Sequence, residues 1–237
     1  MNETIDLMKK HISVRRFTEE PISDKELRAI IDAGRAASSW KNFQSYSIIV
    51  VRSQEKKAAL FDLVPQKAIR QSSVFLLFIG DLNRAKKGVC LHTDTFYPQG
   101  VANILISSVD ASLVAQNTLL AAESLGYGGV IIGLVRYASR EIAELFNLPN
   151  YTYPIFGIAL GKPAQHHTVK PRLPYEAVVF EEKYQEQDVS IIQTYNQVQA
   201  DYAGNRATDT WSERLTAQFA KKSNLASQNL LQDKKLL

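Results

Sequence analysis

Three clusters in this 237-residue chain combine residue types and spacing suited to chemistry. In His11-Ile12-Ser13-Val14-Arg15, an extended backbone puts alternate residues on one face, so His11, Ser13 and Arg15 share a side opposite Ile12 and Val14. That side has the outline of an anion clamp. A solvated basic turn after a helix, helped by Lys9, Lys10 and Arg16, accounts for the same residues, and the segment alone leaves both readings open. In Lys170-Pro171-Arg172-Leu173-Pro174, each proline biases its predecessor toward extended backbone, so Lys170 and Arg172 should project to one side, about 6–7 Å apart. A point charge and a guanidinium fork so placed suit one phosphate; a stiff surface linker with its cations in water is the alternative.

The third cluster, Gly126-Tyr127-Gly128-Gly129-Val130-Ile131-Ile132-Gly133, has the glycines of a dinucleotide-binding turn in the wrong order. Such a turn leaves a strand and opens a helix, whereas here a helix ends and a strand begins, and Ile131 stands where the third glycine belongs. A helix stop explains Gly126 but not Gly133, whose bare backbone suits the close approach of a flat ligand. The chain has no G-x-S-x-G elbow, Walker lysine, H-E-x-x-H or metal-spaced His/Cys set, and His166-His167 reads as a loop feature. Basic clusters without a conventional catalytic side chain suit a borrowed organic cofactor, for which the protein supplies position and electrostatics.

The elements that must hold these clusters follow from patterning. Asn2 caps a first helix carrying Ile5, Met8 and Ile12. Ser23-Asp24-Lys25-Glu26 is a capping box ahead of Leu27, Ile30, Ile31 and Gly34, so a second helix runs to near Ala37. Ile48–Val51 and Val74–Ile79 read as strands buried on both faces, with a polar helix over Gln54–Leu63 between them. Val101–Leu125 reads as a helix apolar on nearly every side, ending at Gly126 and running through the centre. A strand over Gly129–Gly133, a helix capped by Ser139 and a strand over Tyr153–Leu160 complete an α+β core. Beyond Pro174 come polar amphipathic helices around Ile192–Tyr202 and, behind a Thr210–Glu213 capping box, around Leu215 and Phe219. They divide the chain into a core, 1–175, and an extension, 176–237, that must lie on the core or on a second subunit.

Composition narrows the classes. A hydrophobic share of 45% with 22% charged residues is that of a globular chain, which excludes disorder, collagen and coiled coil. A net charge of +4 without a concentrated basic run favours small anionic ligands over nucleic acid. The single Cys90 cannot form an internal disulfide or a thiolate metal site, which suggests a reducing, cytoplasmic setting. Met1–Lys10 has no apolar signal core, and Asn103, Asp110, Gln116 and Asn117 argue against a membrane span over 101–125.

Taken in order, these segments resemble the nitroreductase superfamily, in its larger branch of NADPH-dependent, FMN-containing nitroreductases and flavin reductases. The resemblance rests on His11–Phe17, Ala36-Ala37-Ser38-Ser39, Gln66-Lys67, Ala115–Gly126, Gly128-Gly129-Val130, Lys170–Pro174 and Asp209-Thr210-Trp211-Ser212. It implies a central mixed sheet packed by long helices, in an interwoven homodimer with C-terminal arms and two interfacial FMN sites. By position, His11, Ser13, Arg15, Lys170 and Arg172 would hold the FMN phosphate and ribityl chain, Ser38, Ser39 and Gln66 would bond the flavin, and backbone at Ile132-Gly133 would donate toward N5. The implied chemistry is ping-pong. NADPH gives hydride to flavin N5, then a nitroaromatic, quinone or free flavin takes its place, with no catalytic side chain and no metal required. Arg206 would meet the 2′-phosphate of NADPH. The alternative on the same fold is a non-enzymatic FMN-binding or redox-sensing module. Three departures stand out: Ile12 replaces a cation common in the family, Ala207 and Thr208 follow Arg206 in a loop richer in arginine among close relatives, and Asn224 stands where an arginine is frequent.

Overall fold

The computed structural model describes residues 2–165, 167–206 and 208–237. His166, half of the His166-His167 pair, lies outside them, while His167 is exposed and outside any helix or strand. The chain divides into two compact units, residues 1–167 with 225–237, and residues 168–224.

The first unit is built on four strands, β1 (Tyr46–Val51), β2 (Val74–Asp81), β3 (Gly128–Ile132) and β4 (Thr152–Gly161), in the order β1-β2-β4-β3. Every pairing between them is antiparallel. Among the described residues, the parallel pairing comes from an isolated bridge from Ser13 to Gly129. β2 is central, and Val74 through Ile79 are all essentially sealed from solvent. Burying each of those side chains contributes about 1.5–3 kcal/mol, which is why this apolar run forms the core. β1 departs from the expectation of burial on both faces: it is an edge strand, and Val50 is 42% exposed.

Helices cover the sheet: α1 (Glu3–Lys9), α2 (Asp24–Arg35), α3 (Gln54–Leu63), α4 (Lys67–Gln71), α5 (Asn83–Val89), α6 (Val101–Ser124) and α7 (Ser139–Leu145). Asn2 caps α1, and the Ser23–Glu26 box closes reciprocally on α2. α6 ends where Gly126 takes a φ of +79°. Its burial is one-sided, contrary to the expected helix enclosed all round. Ser107, Asp110, Ala111, Val114, Ala115, Thr118, Leu119 and Ala122 face inward, while Val101, Leu105, Val109 and Leu113 form an exposed apolar stripe four residues apart. Ser139 is not a cap either. It is the first residue of α7, and its hydroxyl donates to the Arg136 carbonyl at 2.5 Å. Ile142 and Ala143 of α7 turn inward and are buried.

A last helix, α10 (Ala226–Asp233), belongs to this first unit. Leu230 and Leu236 are buried in its core, Arg140 pairs with Asp233, and the Gly100 N–H donates to the Leu236 carbonyl at 3.0 Å.

The second unit carries α8 (Val189–Ala203) and α9 (Trp211–Phe219), the latter behind the Thr210–Glu213 capping box. Asn196 braces the two: its Nδ2 donates to Ser212 Oγ at 2.8 Å, and its Oδ1 accepts from the Ser212 N–H at 3.0 Å. Tyr195 and Trp211 add an edge-to-face ring contact at 5.3 Å.

Candidate functional site

The edge strand β3 positions the first cluster. The Val14 N–H donates to the Gly129 carbonyl at 2.9 Å, so residues 13–15 run extended beside the strand. Val14 is buried and Arg15 exposed, as alternation requires. Glycine at 128 is what lets Val14 approach, since a Cβ there would sit 2.6 Å from a Val14 methyl carbon. The glycine-rich start of β3 therefore serves packing.

A cleft of about 720 Å³ opens along this edge, lined among others by Arg15, Gln66, Lys67, Ile131, Ile132 and Gly133. Pockets for small organic ligands occupy about 300–1,000 Å³. Arg15, Arg16 and Lys67 give the lining three cations, and it includes no carboxylate. Ile131 and Leu134 expose apolar surface. Gln66 stands at the start of α4, yet its side chain does not cap that helix, which leaves an amide for a ligand. Gly133 lines the cleft, and the Arg136 guanidinium, which donates to the Ile155 carbonyl at 3.1 Å, packs against it within 3 Å of where a Cβ would be. Thus Arg15, Gln66 and the adjacent Ile132 and Gly133, from three separated parts of the chain, meet in one place.

Other expected residues lie outside that lining. The His11 ring is held by Glu123 of α6, Nδ1 to Oε1 at 2.6 Å. Ser38 is exposed, and Ser39 Oγ accepts from the Gln44 N–H at 3.3 Å. The loop carrying them is anchored by a residue the sequence reading assigned no role. Asp110 of α6, 1% exposed, accepts from the Trp40 N–H at 2.9 Å and the Ser45 N–H at 3.0 Å. An aspartate on the inward stripe of an apolar helix was the available signal, because a carboxylate is buried only when satisfied.

In the second unit, Lys170 and Arg172 are exposed, and the Arg172 guanidinium donates to the Lys170 carbonyl at 3.0 Å. The backbone between them is fixed from α8. Tyr195 donates to the Pro171 carbonyl at 2.8 Å, Gln199 to the same carbonyl at 3.1 Å, and Tyr202 to the Thr168 carbonyl at 2.8 Å. These three residues fall on one helical face, at i, i+4 and i+7. Arg206 folds back on the end of α8, donating to the Ala203 and Tyr202 carbonyls at 3.2 and 3.1 Å.

An α+β sheet with a cationic cleft along its edge strand and apolar surface beside the charges has the chemistry of a site for a flat organic anion. Residues 8–162 match the Nitroreductase family, and residues 170–237 match the Nitroreductase family, C-terminal domain. The chain belongs to the nitroreductase family. It is 41% identical over 232 residues to the NADPH-flavin oxidoreductase of Vibrio harveyi, covering 94% of this chain and 93% of that one. It is 38% identical over 229 residues to an oxygen-insensitive NADPH nitroreductase of Salmonella typhimurium, with the same coverage. Among solved structures, nitroreductase A from Vibrio parahaemolyticus superposes with a TM-score of 0.94 at 38% identity, over 100% of this chain and 98% of that one.

Proposed function

We propose that this chain is an FMN-dependent oxidoreductase that uses NADPH to reduce flavins, nitroaromatics and quinones. The observation that carries the reading is the cleft along β3, where Arg15, Gln66 and the Ile132-Gly133 backbone converge beside exposed Ile131. The donor set fits FMN: cations and an amide for its polar edge and phosphate, and apolar surface for its ring. FMN, when bound, supplies hydride transfer, taking two electrons from NADPH and yielding them to an acceptor.

The chain's own residues position and polarise. Arg15 presents a guanidinium that compensates negative charge without moving a proton. Ile131 and Leu134 exclude water from one side of the cleft. Glu123 orients His11, and Asp110 holds the loop that presents Ser38 and Ser39. Lys170 and Arg172 are assigned to the FMN phosphate, their backbone held within the second unit by Tyr195 and Gln199. Arg206 is assigned to the NADPH phosphate. Releasing it from the α8 carboxyl end costs two exposed hydrogen bonds, which is a small barrier. The working unit is a homodimer, because the apolar stripe of α6 requires cover.

The test is to purify the protein with its flavin and add NADPH without oxygen. Loss of the flavin absorbance, followed by recovery with a nitroaromatic, is expected; a flavin that retains its colour would establish the non-enzymatic module instead. Arg15→Ala combined with Lys170→Ala should remain folded and lose FMN, and undiminished flavin content refutes the phosphate assignment. Arg206→Ala should raise the KM for NADPH and leave that for NADH unchanged.

A further inference from the structure

A second cleft of about 720 Å³ opens in the first unit, and Arg16 borders both it and the cleft along β3. Its lining carries four cations, Arg16, Arg52, Lys57 and Arg70, against one carboxylate, Glu19. The flavin reading uses none of Arg52, Lys57 and Arg70. Arg52 reaches the exposed Asp24 at 2.7 Å. Arg70 lies over the Phe61 ring at 5.1 Å, a contact that leaves its N–H edge available. Arg16 and Arg70 have no carboxylate partner among the described residues.

Lys57 forms part of the cleft wall although it is only 1% exposed. Its ammonium donates to the Ser72 carbonyl at 2.6 Å and has no second acceptor among the described residues, so two of its three N–H groups remain unused. A buried ammonium with one neutral acceptor is costly, and an anion beside it removes that cost. Ser73 adds a donor: its oxygen already accepts the Ile22 N–H at 2.8 Å, which leaves its own O–H for a ligand. Burial also pulls the Lys57 pKa below its ordinary value, the direction expected of a cation waiting for a counter-charge.

We infer that this second cleft is an anion site distinct from the flavin cleft, in which Lys57, Arg70, Arg52 and Ser73 grip a phosphate group, either free or carried by a nucleotide. Lys57 supplies the buried point charge, the two arginines close over the outer oxygens, and Ser73 donates from the wall. No bond is made or broken.

The inference is tested by calorimetric titration of the flavin-loaded protein in phosphate-free buffer, with inorganic phosphate in one series and adenosine monophosphate in another. Saturable binding is expected with the flavin absorbance unchanged, and Lys57→Met and Arg70→Gln should each weaken it roughly tenfold or more, the effect of losing one charge-assisted hydrogen bond. Arg70→Gln alters an exposed side chain and leaves the fold intact, so its result stands even if Lys57→Met perturbs the core. Equal affinity for the two probes identifies free phosphate as the ligand, and tighter binding of the nucleotide identifies a nucleotide phosphate. Absence of saturable binding for both probes, binding unaltered in both variants, or binding that expels the flavin overturns the inference.

Discussion

His11, ahead of the extended segment beside β3, and Glu123 near the end of α6 share a hydrogen bond of 2.6 Å, tying a proposed cofactor contact to that helix across 112 residues of sequence. The carboxylate is 11% exposed, so the bond is shielded from water. Glu123→Ala should cost about 1–2 kcal/mol of stability and lower the flavin retained on purification, because the ring loses its orientation along with its partner. Paired denaturant curves and flavin-to-protein ratios check this; unchanged flavin content would mean that the ring is held by other contacts.

Asp110 controls the loop next to Ser38 and Ser39. Asp110→Ala removes the acceptor for two backbone N–H groups and should destabilise the protein by about 2–4 kcal/mol. Trp40, whose N–H is one of the two, reports the release. Its fluorescence should respond to an added quencher more strongly in the variant, and an identical response would show the loop to be held elsewhere.

At Gly34, α2 packs directly against α6. A Cβ there would lie 2.1 Å from Thr118 Oγ1 and 3.2 Å from the Val114 carbonyl oxygen. Thr118 is fully buried and bonded to the Val114 carbonyl at 2.8 Å, so it cannot swing aside. Gly34→Ala should therefore destabilise by about 1–3 kcal/mol, although alanine is the better helix former. A midpoint at or above wild type would contradict this packing.

Lys57 makes stability depend on alkaline pH. Its folded pKa lies below the ordinary 10.5, so between the two values the unfolded chain binds more protons than the folded one. Wild-type stability consequently rises as pH climbs through that window. Lys57→Met, in phosphate-free buffer, should exceed wild type by about 1 kcal/mol near neutrality, with the advantage shrinking toward pH 10. Thermal melts of both proteins across that range measure it, and a difference independent of pH would argue that the ammonium is charged throughout.

The α6 stripe sets the proposed association. Leu105→Glu with Val109→Glu places two carboxylates among exposed apolar side chains that are 58% and 53% accessible in the single chain. The pair should convert a dimer to monomers in sedimentation velocity, with loss of flavin, while the isolated fold persists because neither residue enters its core. A wild-type protein sedimenting as a monomer would end the proposal.

Periodicity and capping chemistry made most of the elements legible without coordinates. The Ser23–Glu26 and Thr210–Glu213 boxes, the Gly126 stop and the β2 run all act over a few residues, and local interactions are what a sequence displays directly. The basic and glycine clusters were legible for the same reason, together with the nitroreductase resemblance that their order carries. Tertiary structure alone decided which of those residues meet: that Gln66 comes beside Arg15 and Gly133, that Glu123 takes His11, and that Asp110 holds a loop 70 residues away. It also decided that α6 is buried on one side only and that α10 returns to the first core. Those outcomes depend on long-range packing and on satisfying buried polar groups, whose partners are set by folding in three dimensions and leave no periodic trace along the chain.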